Sequence, residues 1–413
     1  MATIKKILIA HASVGSGHKT AAHAISSALE LLQREAAVED KFEAEVVDIL
    51  DYGRIRIDGN KYATTFTGAT RPIYDLTWRY TFTGRLLWGG GTGYSRVFFK
   101  AFTEKVEQCK PAAIICTHIT AANAAVGAKM ITGQNFPVIC VPTDYEVEGL
   151  WPHAYTDLFC VANEEMAETL RARHIHESRI RITGMPTNPE FTKTYDRGAV
   201  CNEFNLPKDK QLVLAIAGAS LLQPYVHIKK VIENLVPYMH EFANMHFVIV
   251  VGNDVEMQHD LNQFIAEHNI KNLNVLGYVN QMAMLLNACD LVVCKAGGMT
   301  VTECLCASTP MILTCRAYGQ EKANVKMLTA AGAAIHVTTS RELLSTLRYA
   351  NANKNAYAGL KTAAEILRKP NASLDIAKEA LLLIDSHSKA LAAPNNRKTL
   401  LKLYFGDEPA HTR

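Results

Sequence analysis

Two adjacent glycines, Gly297 and Gly298, stand between an apolar run and a helix that we predict to open near Thr300. Backbone N–H groups at such a turn can approach a diphosphate closely because no Cβ is in the way, and the helix start adds partial positive charge. Glu303, one helical turn further on, can accept hydrogen bonds from the two hydroxyls of a ribose. These residues together predict a nucleoside diphosphate site.

A second group of polar side chains follows the next apolar run, 310–314. Gln320, Glu321 and Asn324 carry amide and carboxylate groups that can meet the hydroxyls of a sugar. Paired glycines after strands are common structural turns, so the glycines alone favour a structural role. With Glu303 and these three residues added, a nucleotide-sugar site is the better interpretation.

Another glycine-rich loop, HASVGSGHKTAA, follows the first apolar run and presents His18 at the start of a predicted helix. The phosphate loop of ATPases requires glycine directly before the lysine, where His18 stands, so that function is excluded. Gly15 and Gly17 match the first two glycines of a dinucleotide fingerprint, but Thr20 occupies the third position. A neutral imidazole can accept a proton from an attacking hydroxyl, although a helix cap or a phosphate ligand fits the loop equally well.

Short apolar runs alternate with longer helical patterns along the chain, which predicts parallel sheets covered on both faces. The runs predicted as strands are KILIAHA, AEVVDI, AAIICTH, PVICVP and DLFCVA in a first series, and QLVLAIAG, HFVIVVG, LNVLGYV, DLVVCKAGG and PMILTC in a second. We therefore predict an α/β protein with two doubly wound, Rossmann-like domains, 1–190 and 191–370, and a helical tail, 371–413. Sheets of this kind bind ligands at the carboxyl ends of their strands, so we expect both glycine turns to border a cleft between the domains.

Composition is consistent with this size and class: 413 residues are 48% hydrophobic and 20% charged, with a formal net charge of +3. The ten cysteines are scattered through apolar runs without the spacing of a zinc site, as expected for reduced core residues of a cytoplasmic protein. The sequence shows neither a targeting segment nor about 18 consecutive apolar residues. Any membrane contact is therefore expected to be peripheral.

The segment 52–110 differs in composition from the rest of the chain, with ten Lys or Arg against four acidic residues. It also carries twelve aromatic residues, including Trp78 and Trp88. Basic and aromatic side chains together suit an anionic membrane surface. Nucleic-acid binding and an insert packed on its own domain are the alternatives, and we favour the membrane and expect no nucleic-acid partner.

The run GSGHKTAAHAI resembles the signature that opens the monogalactosyldiacylglycerol synthase and processive diacylglycerol glucosyltransferase family. THITAAN, PTDY, DLFCVA, RITGMPTNPEF and the glycine-pair region follow in the family's order, over roughly residues 4 to 370. The resemblance implies a GT-B fold and inverting, metal-independent transfer of a hexose from UDP-glucose or UDP-galactose to a lipid acceptor such as diacylglycerol. The family's general base matches His18, and the protein would lie at the cytoplasmic face of a membrane.

The resemblance also assigns roles to other positions. It places uracil against Tyr278 and Val279, for which packing in the core is the alternative, and glycine loops that face the substrates at Gly17 and Gly218. Asp144 of PTDY would orient His18 or bind acceptor hydroxyls. An equally good interpretation is that its carboxylate caps the next turn of the chain. The departures from the family pattern are Glu148, where members usually carry His, Ile119 in place of Pro, and the loop AGAS, which contains Gly218 and has fewer glycines.

Three other functions use the same features. Transfer to a different lipid-linked acceptor needs only a change on the acceptor side. A nucleotide-sugar 2-epimerase shares the architecture but has no use for a basic aromatic insert. A non-catalytic partner that binds UDP-sugars would keep the donor residues and lack turnover.

Overall fold

The structure, a computed structural model, describes residues 4–35, 41–54, 98–153, 155–216, 235–314, 317, 320–353 and 355–392. The chain divides into two compact units, one formed by Met1–Pro189 with Asn371–Arg413 and the other by Glu190–Pro370. The helix that follows residue 370, which the sequence suggests as a separate tail, thus belongs to the first unit.

The first unit is built on a parallel sheet of six described strands in the order β2-β1-β3-β4-β5-β6. The strands are β1 (Lys5–His11), β2 (Phe42–Asp48), β3 (Ala113–Cys116), β4 (Val138–Cys140), β5 (Leu158–Val161) and β6 (Ile180–Ile182). Its helices are α1 (Ser16–Glu35), α2 (Lys100–Cys109), α3 (Ile119–Thr132), α4 (Glu164–Ala172) and, near the other end of the chain, α12 (Ala372–Ala392).

Both faces of this sheet are covered, which is why its strands are apolar throughout rather than alternating. On one face, Leu8 lies in the same buried cluster as residues of α3. On the other face, Ile7 and Ile9 pack in a cluster with Ile376 and Ala377 of α12. The late helix therefore completes a core that the first strand begins.

The second unit repeats this architecture with a sheet ordered β12-β11-β10-β7-β8-β9. Its strands are β7 (Gln211–Ile216), β8 (Met245–Val250), β9 (Leu273–Leu276), β10 (Leu291–Cys294), β11 (Met311–Thr314) and β12 (Ala334–Val337). Its helices are α5 (Arg197–Glu203), α6 (Val255–Glu267), α7 (Met282–Ala288), α8 (Gly298–Cys306), α9 (Glu321–Ala330), α10 (Ser340–Ala352) and α11 (Ala358–Leu367).

In each sheet the strand order reverses once between neighbouring strands. The reversal lies between β1 and β3 in the first unit and between β7 and β10 in the second. We call these places the first and second switch points. Loops leave such a point in opposite directions beyond the carboxyl ends of the strands, and ligands of open α/β sheets bind there.

The predicted doubly wound, Rossmann-like domains are confirmed, and some details differ. The short strands β6 and β12 were not predicted, since three or four residues containing Arg181 or His336 give little apolar signal. Helix α8 begins at Gly298, two residues before the predicted start. Residues 217–234 lie outside the described residues, and Val236–Glu241 is a 3-10 helix.

Across the parts of the chain that the structure describes, no helix is both long and apolar enough to cross a membrane.

Candidate active site

His18 is fixed at the first switch point by contacts from two other loops. Its Nδ1 lies 3.0 Å from the carbonyl oxygen of Thr117, directly after β3, and 2.8 Å from the hydroxyl of Thr143, after β4. In return, the Thr117 hydroxyl donates to the His18 carbonyl at 2.9 Å. Backbone and side chain of His18 are thus both held by the strand that neighbours β1.

These contacts determine which nitrogen of His18 carries the proton. A carbonyl oxygen only accepts, so the 3.0 Å contact with Thr117 is a hydrogen bond only with the proton on Nδ1, and the Thr143 hydroxyl is then a second acceptor. Nε2 then keeps its lone pair. Burial lowers the pKa of His18 to about 4, while the hydrogen bond to Thr117 raises it and the nearby His11 lowers it. The imidazole is neutral at pH 7 and can accept a proton at Nε2.

The glycine loop before His18 is shaped by its own backbone and by β2. Gly15 has a φ of +89°, a conformation that glycine adopts without strain. The backbone N–H of Ser13 donates to Asp48 at 3.2 Å, and Asp48 also accepts from Leu50 at 3.0 Å. Gly17 lies in the first turn of α1, next to His18. The loop is therefore tied to the ends of β2 and β3, on both sides of β1.

A second histidine, His118, packs edge-on against His18, with ring centroids 4.5 Å apart. Its Nδ1 accepts a hydrogen bond from the Thr120 backbone at 3.1 Å and so caps α3. Neutral His118 consequently carries its proton on Nε2, the opposite tautomer to His18. Burial and the neighbouring His18 and His11 lower the pKa of His118. The cap gives His118 a structural role at the start of α3.

The loop after β4, which contacts His18 through Thr143, carries two buried acidic side chains. Asp144 follows Thr143 directly and is 9% exposed, and Glu148 is 8% exposed. The indole of Trp151 donates to Oε2 of Glu148 at 2.6 Å. Because Thr143 contacts His18, this loop brings Asp144 to the same edge of the sheet as the imidazole.

At the second switch point, the turn after β10 presents backbone instead of side chains. Gly297 precedes α8 with φ −70° and ψ 131°, angles that any residue can adopt. Its chain neighbours Ala296 and Gly298 aside, a Cβ built on Gly297 would meet no atom of the described residues within 4 Å. The fold itself therefore does not require glycine here. Close approach of a ligand to the backbone gives a reason for it.

Glu303 stands one turn into α8, half-buried, and no other described residue hydrogen-bonds to its carboxyl. Burial raises the pKa of this group to about 7. A carboxyl that is desolvated without a protein partner gains when hydroxyl groups donate to it. Gly298 and Thr300 occupy the first turn of the same helix, as the predicted diphosphate site requires.

The polar residues predicted to meet the sugar have protein partners of their own. Glu321 Oε1 bonds the ammonium of Lys295 at 2.7 Å, which links the start of α9 to the end of β10. Asn324 is completely buried and donates from Nδ2 to the carbonyl of Ala296 at 2.9 Å. Both contacts brace the turn that carries Gly297.

Other predicted site residues have distinct positions. Gln320 is the half-buried N-cap residue of α9. Tyr278 and Val279 follow β9, and Tyr278 is 66% exposed. Gly218 lies outside the described residues, as do Trp78 and Trp88.

Sequence reasoning did not single out Thr117, Thr143, Asp48 and Lys295. Each stands at or just beyond the carboxyl end of a predicted strand, and that position is the signal that could have found them.

Two family models match this chain. The model for monogalactosyldiacylglycerol (MGDG) synthase matches residues 18–187, and the glycosyltransferase family 28 C-terminal domain matches residues 215–379. The first match begins at His18.

Among curated proteins, the processive diacylglycerol beta-glucosyltransferase of Bacillus subtilis (strain 168) is 30% identical over 269 residues, covering 65% of this chain and 68% of the relative. The enzyme of the same name from Bacillus licheniformis is 26% identical over 380 residues, covering 90% and 94%.

Solved structures share the fold at low identity. MurG of Acinetobacter baumannii matches with a TM-score of 0.54 and 16% identity, covering 92% of this chain and 99% of that one. S. aureus MnaA, solved with UDP, matches with a TM-score of 0.61 and 12% identity, covering 92% and 98%. These likenesses show a GT-B fold alone, since the same comparison finds a UDP-GlcNAc 2-epimerase from Neisseria meningitidis with a TM-score of 0.57.

Proposed function

Because the chain belongs to the monogalactosyldiacylglycerol synthase and processive diacylglycerol glucosyltransferase family, we propose that it transfers a hexose from a UDP-sugar to diacylglycerol, with inversion at the anomeric carbon. The enzyme is a glycosyltransferase of glycolipid synthesis. UDP-glucose and UDP-galactose are the two donors that we propose.

The observation that carries the proposal is the fixed imidazole of His18. Inversion requires a base that removes the proton of the acceptor hydroxyl as its oxygen attacks the anomeric carbon. His18 is neutral at pH 7, and its Nδ1–H is held by Thr117 and Thr143, which leaves Nε2 as the proton acceptor. The hydroxyl proton passes to Nε2 while the bond between the sugar and the diphosphate breaks.

The second switch point supplies the donor site in this proposal. Backbone N–H groups at Gly297 and the start of α8 stabilise the departing diphosphate, and Glu303 accepts from the ribose hydroxyls. Tyr278 and Val279 border the uracil, while Gln320 and Glu321 meet the sugar.

Helix and backbone charge at the diphosphate take the place that a divalent cation holds in metal-dependent transferases, so we propose a metal-independent reaction. Activity is expected to survive treatment with EDTA. Loss of activity that magnesium or manganese specifically restores would contradict this part of the proposal.

A lipid product tests the function directly. The purified chain would be incubated with UDP-glucose or UDP-galactose and vesicles containing diacylglycerol, and the lipids analysed by mass spectrometry and NMR. We expect hexosyl-diacylglycerol with the anomeric configuration opposite to that of the donor. If neither donor gives a glycosylated diacylglycerol but another lipid-linked acceptor is glycosylated, that other lipid is the acceptor and diacylglycerol is not. If the chain binds UDP but transfers sugar to no acceptor, it is a non-catalytic protein that binds UDP-sugars.

For access to its acceptor, we propose peripheral attachment to the cytoplasmic face of an anionic membrane through the basic, aromatic segment 52–110. Screening of charge over about 8–10 Å at physiological ionic strength predicts that salt weakens this attachment. Vesicle co-sedimentation measures it. Equal binding to neutral and anionic vesicles, unaffected by salt, would contradict the electrostatic part.

A further inference from the structure

Two neighbouring residues at the end of β10 are bonded to the first turn of α9. Nζ of Lys295 lies 2.7 Å from Oε1 of Glu321, and the Ala296 carbonyl accepts from Asn324 at 2.9 Å. Glu321 and Asn324 stand three residues apart on the helix and therefore share one of its faces. The two contacts fix the start of α9, and Glu321 with it, beside the glycine turn at the second switch point.

One oxygen of the Glu321 carboxyl is left open by this arrangement. Oε1 is bonded to the ammonium of Lys295, and no other described residue bonds the carboxyl, so Oε2 can still accept hydrogen bonds. The side chain of Glu321 is 15% exposed and that of Lys295 is 31% exposed. Glu321 is also the first residue of α9, where the partial positive charge of a helix start favours an anion. The carboxylate is therefore held in place with one oxygen free for a ligand.

Stability alone is a weak reason for an ion pair at this place. Two charges that are largely covered lose hydration, and apolar side chains often replace such pairs without loss of stability. The neutral bond from Asn324 to Ala296 already ties the same helix to the same strand. A carboxylate accepts stronger hydrogen bonds from hydroxyl groups than a neutral side chain does, which gives the charge a use in binding.

We propose that Lys295 is a positioning residue for the donor sugar, which holds the Glu321 carboxylate through Oε1 so that Oε2 accepts hydrogen bonds from hydroxyls of the hexose. The inference rests on the proposed function, since it needs a sugar attached to the diphosphate. Lys295 acts through Glu321 and not on the nucleotide. Its loss should therefore weaken binding of the UDP-hexose and leave binding of UDP itself nearly unchanged.

Calorimetry without acceptor, using UDP and then UDP-glucose or UDP-galactose, separates the two contributions. In Lys295→Met, affinity for the UDP-hexose should fall about tenfold because the carboxylate loses its anchor, while UDP affinity should change less than about twofold. Lys295→Arg keeps a cation beside Glu321 and should retain most of the wild-type affinity. Arg348→Met is the matched control, since it breaks a 2.7 Å ion pair with Glu241, which precedes β8 at the amino edge of the same sheet.

A double-mutant cycle adds a readout that a merely structural ion pair would not move. If Lys295 acts through Glu321, then Lys295→Met and Glu321→Ala each weaken UDP-hexose binding, and the double variant binds no more weakly than Glu321→Ala. Thermal unfolding of the same proteins measures any loss of stability separately.

Losses that multiply in the double variant would overturn the inference. An equal fall of UDP and UDP-hexose affinity in Lys295→Met would also overturn it and make Lys295 a ligand of the diphosphate. Unchanged affinity for both, or a wild type that binds no UDP-hexose, would leave the ion pair a structural link only. A wild type that binds the UDP-hexose with this dependence on Lys295 but makes no glycolipid would instead refute the proposed transfer and leave the inference standing.

Discussion

At the first switch point, side chains occupy the region beyond the strand ends: His18 is bonded to Thr117 and Thr143 and packed against His118. At the second, a glycine turn offers backbone, and apart from the two chain neighbours no atom of the described residues lies within 4 Å of where a Cβ of Gly297 would be. Two sheets of the same topology thus differ in the groups beyond their strand ends, which are bonded side chains in the first and open backbone in the second. The first holds a reactive group in one orientation, and the second leaves its groups for a ligand to satisfy.

The same contrast appears in the two titrating groups. Burial lowers the pKa of His18, and the hydrogen bonds at Nδ1 leave Nε2 as the base. Glu303 has no bonded partner among the described residues, and burial raises its pKa. In our interpretation, the fixed orientation of His18 serves the chemical step, and the carboxyl of Glu303 is left to accept hydrogen bonds from the bound donor. Changes at the two places should therefore separate turnover from affinity.

The largest expected effect is that of His18→Ala. Loss of a general base lowers turnover by about 10²- to 10⁴-fold, while UDP affinity should stay close to that of the wild type because the change lies in the first unit. Single-turnover rates and UDP calorimetry measure the two quantities. His23→Ala, an exposed histidine on the same helix, is the matched control. Weakened UDP binding in His18→Ala would make His18 a phosphate ligand, and near-normal turnover would move the role of base to Asp144, tested by Asp144→Asn.

The next effect concerns Glu303. Glu303→Ala should lose roughly 1–3 kcal/mol of UDP binding, since the ribose hydroxyls lose their acceptor. The ionised carboxylate is the better acceptor, so wild-type affinity should rise as pH increases through about 7 and protons should be released on binding. Calorimetry in two buffers detects this release, and Glu303→Gln should abolish the pH dependence. Exposed Glu203 serves as the control in Glu203→Ala, and unchanged UDP affinity in folded Glu303→Ala would remove Glu303 from the site.

Gly297→Ala tests whether the backbone at the second switch point contacts the diphosphate. Beyond its chain neighbours the added methyl group meets no described residue, and the backbone angles suit alanine, so stability should change by less than about 0.5 kcal/mol. UDP affinity should nevertheless fall about tenfold, corresponding to about 1.4 kcal/mol, because the methyl group stands where the ligand approaches. Gly359→Ala adds a methyl group to similarly open space in α11 and should not alter UDP binding. Equal UDP affinity in both variants would show that Gly297 is not at the diphosphate.

The smallest effect on binding is expected for Asn324→Ala. Removal of the buried amide leaves the Ala296 carbonyl without its donor and should destabilise the second unit by about 1–3 kcal/mol. Thermal unfolding measures the loss. Affinity for UDP should change less than about threefold, since the residue braces the turn from behind. A large loss of affinity for the UDP-sugar at unchanged stability would instead identify Asn324 as a sugar ligand, as first interpreted from the sequence.

Much of the fold was predictable because parallel strands covered on both faces are continuously apolar, and such runs are visible in KILIAHA or DLVVCKAGG. The glycine turns and His18 could also be recognised in the sequence, because a turn between a strand and a helix is formed by residues that are neighbours in the chain. The bonds of Thr117 and Thr143 to His18 were not, because they join residues 99 and 125 positions apart in the chain. Desolvation depends on the same tertiary packing, so the sequence does not reveal that burial lowers the pKa of His18 from the ordinary 6.5 to about 4.

The central claim is that the first switch point holds His18 as a neutral base with its proton on Nδ1. Nitrogen-15 NMR of histidine-labelled protein tests it, with the His18 signal assigned by its absence in His18→Gln. We expect the Nδ1–H tautomer at pH 7 and a pKa well below the ordinary value of 6.5, with the signal shifting only as pH falls towards about 4. An Nε2–H tautomer, or titration at or above pH 6.5, would contradict the account.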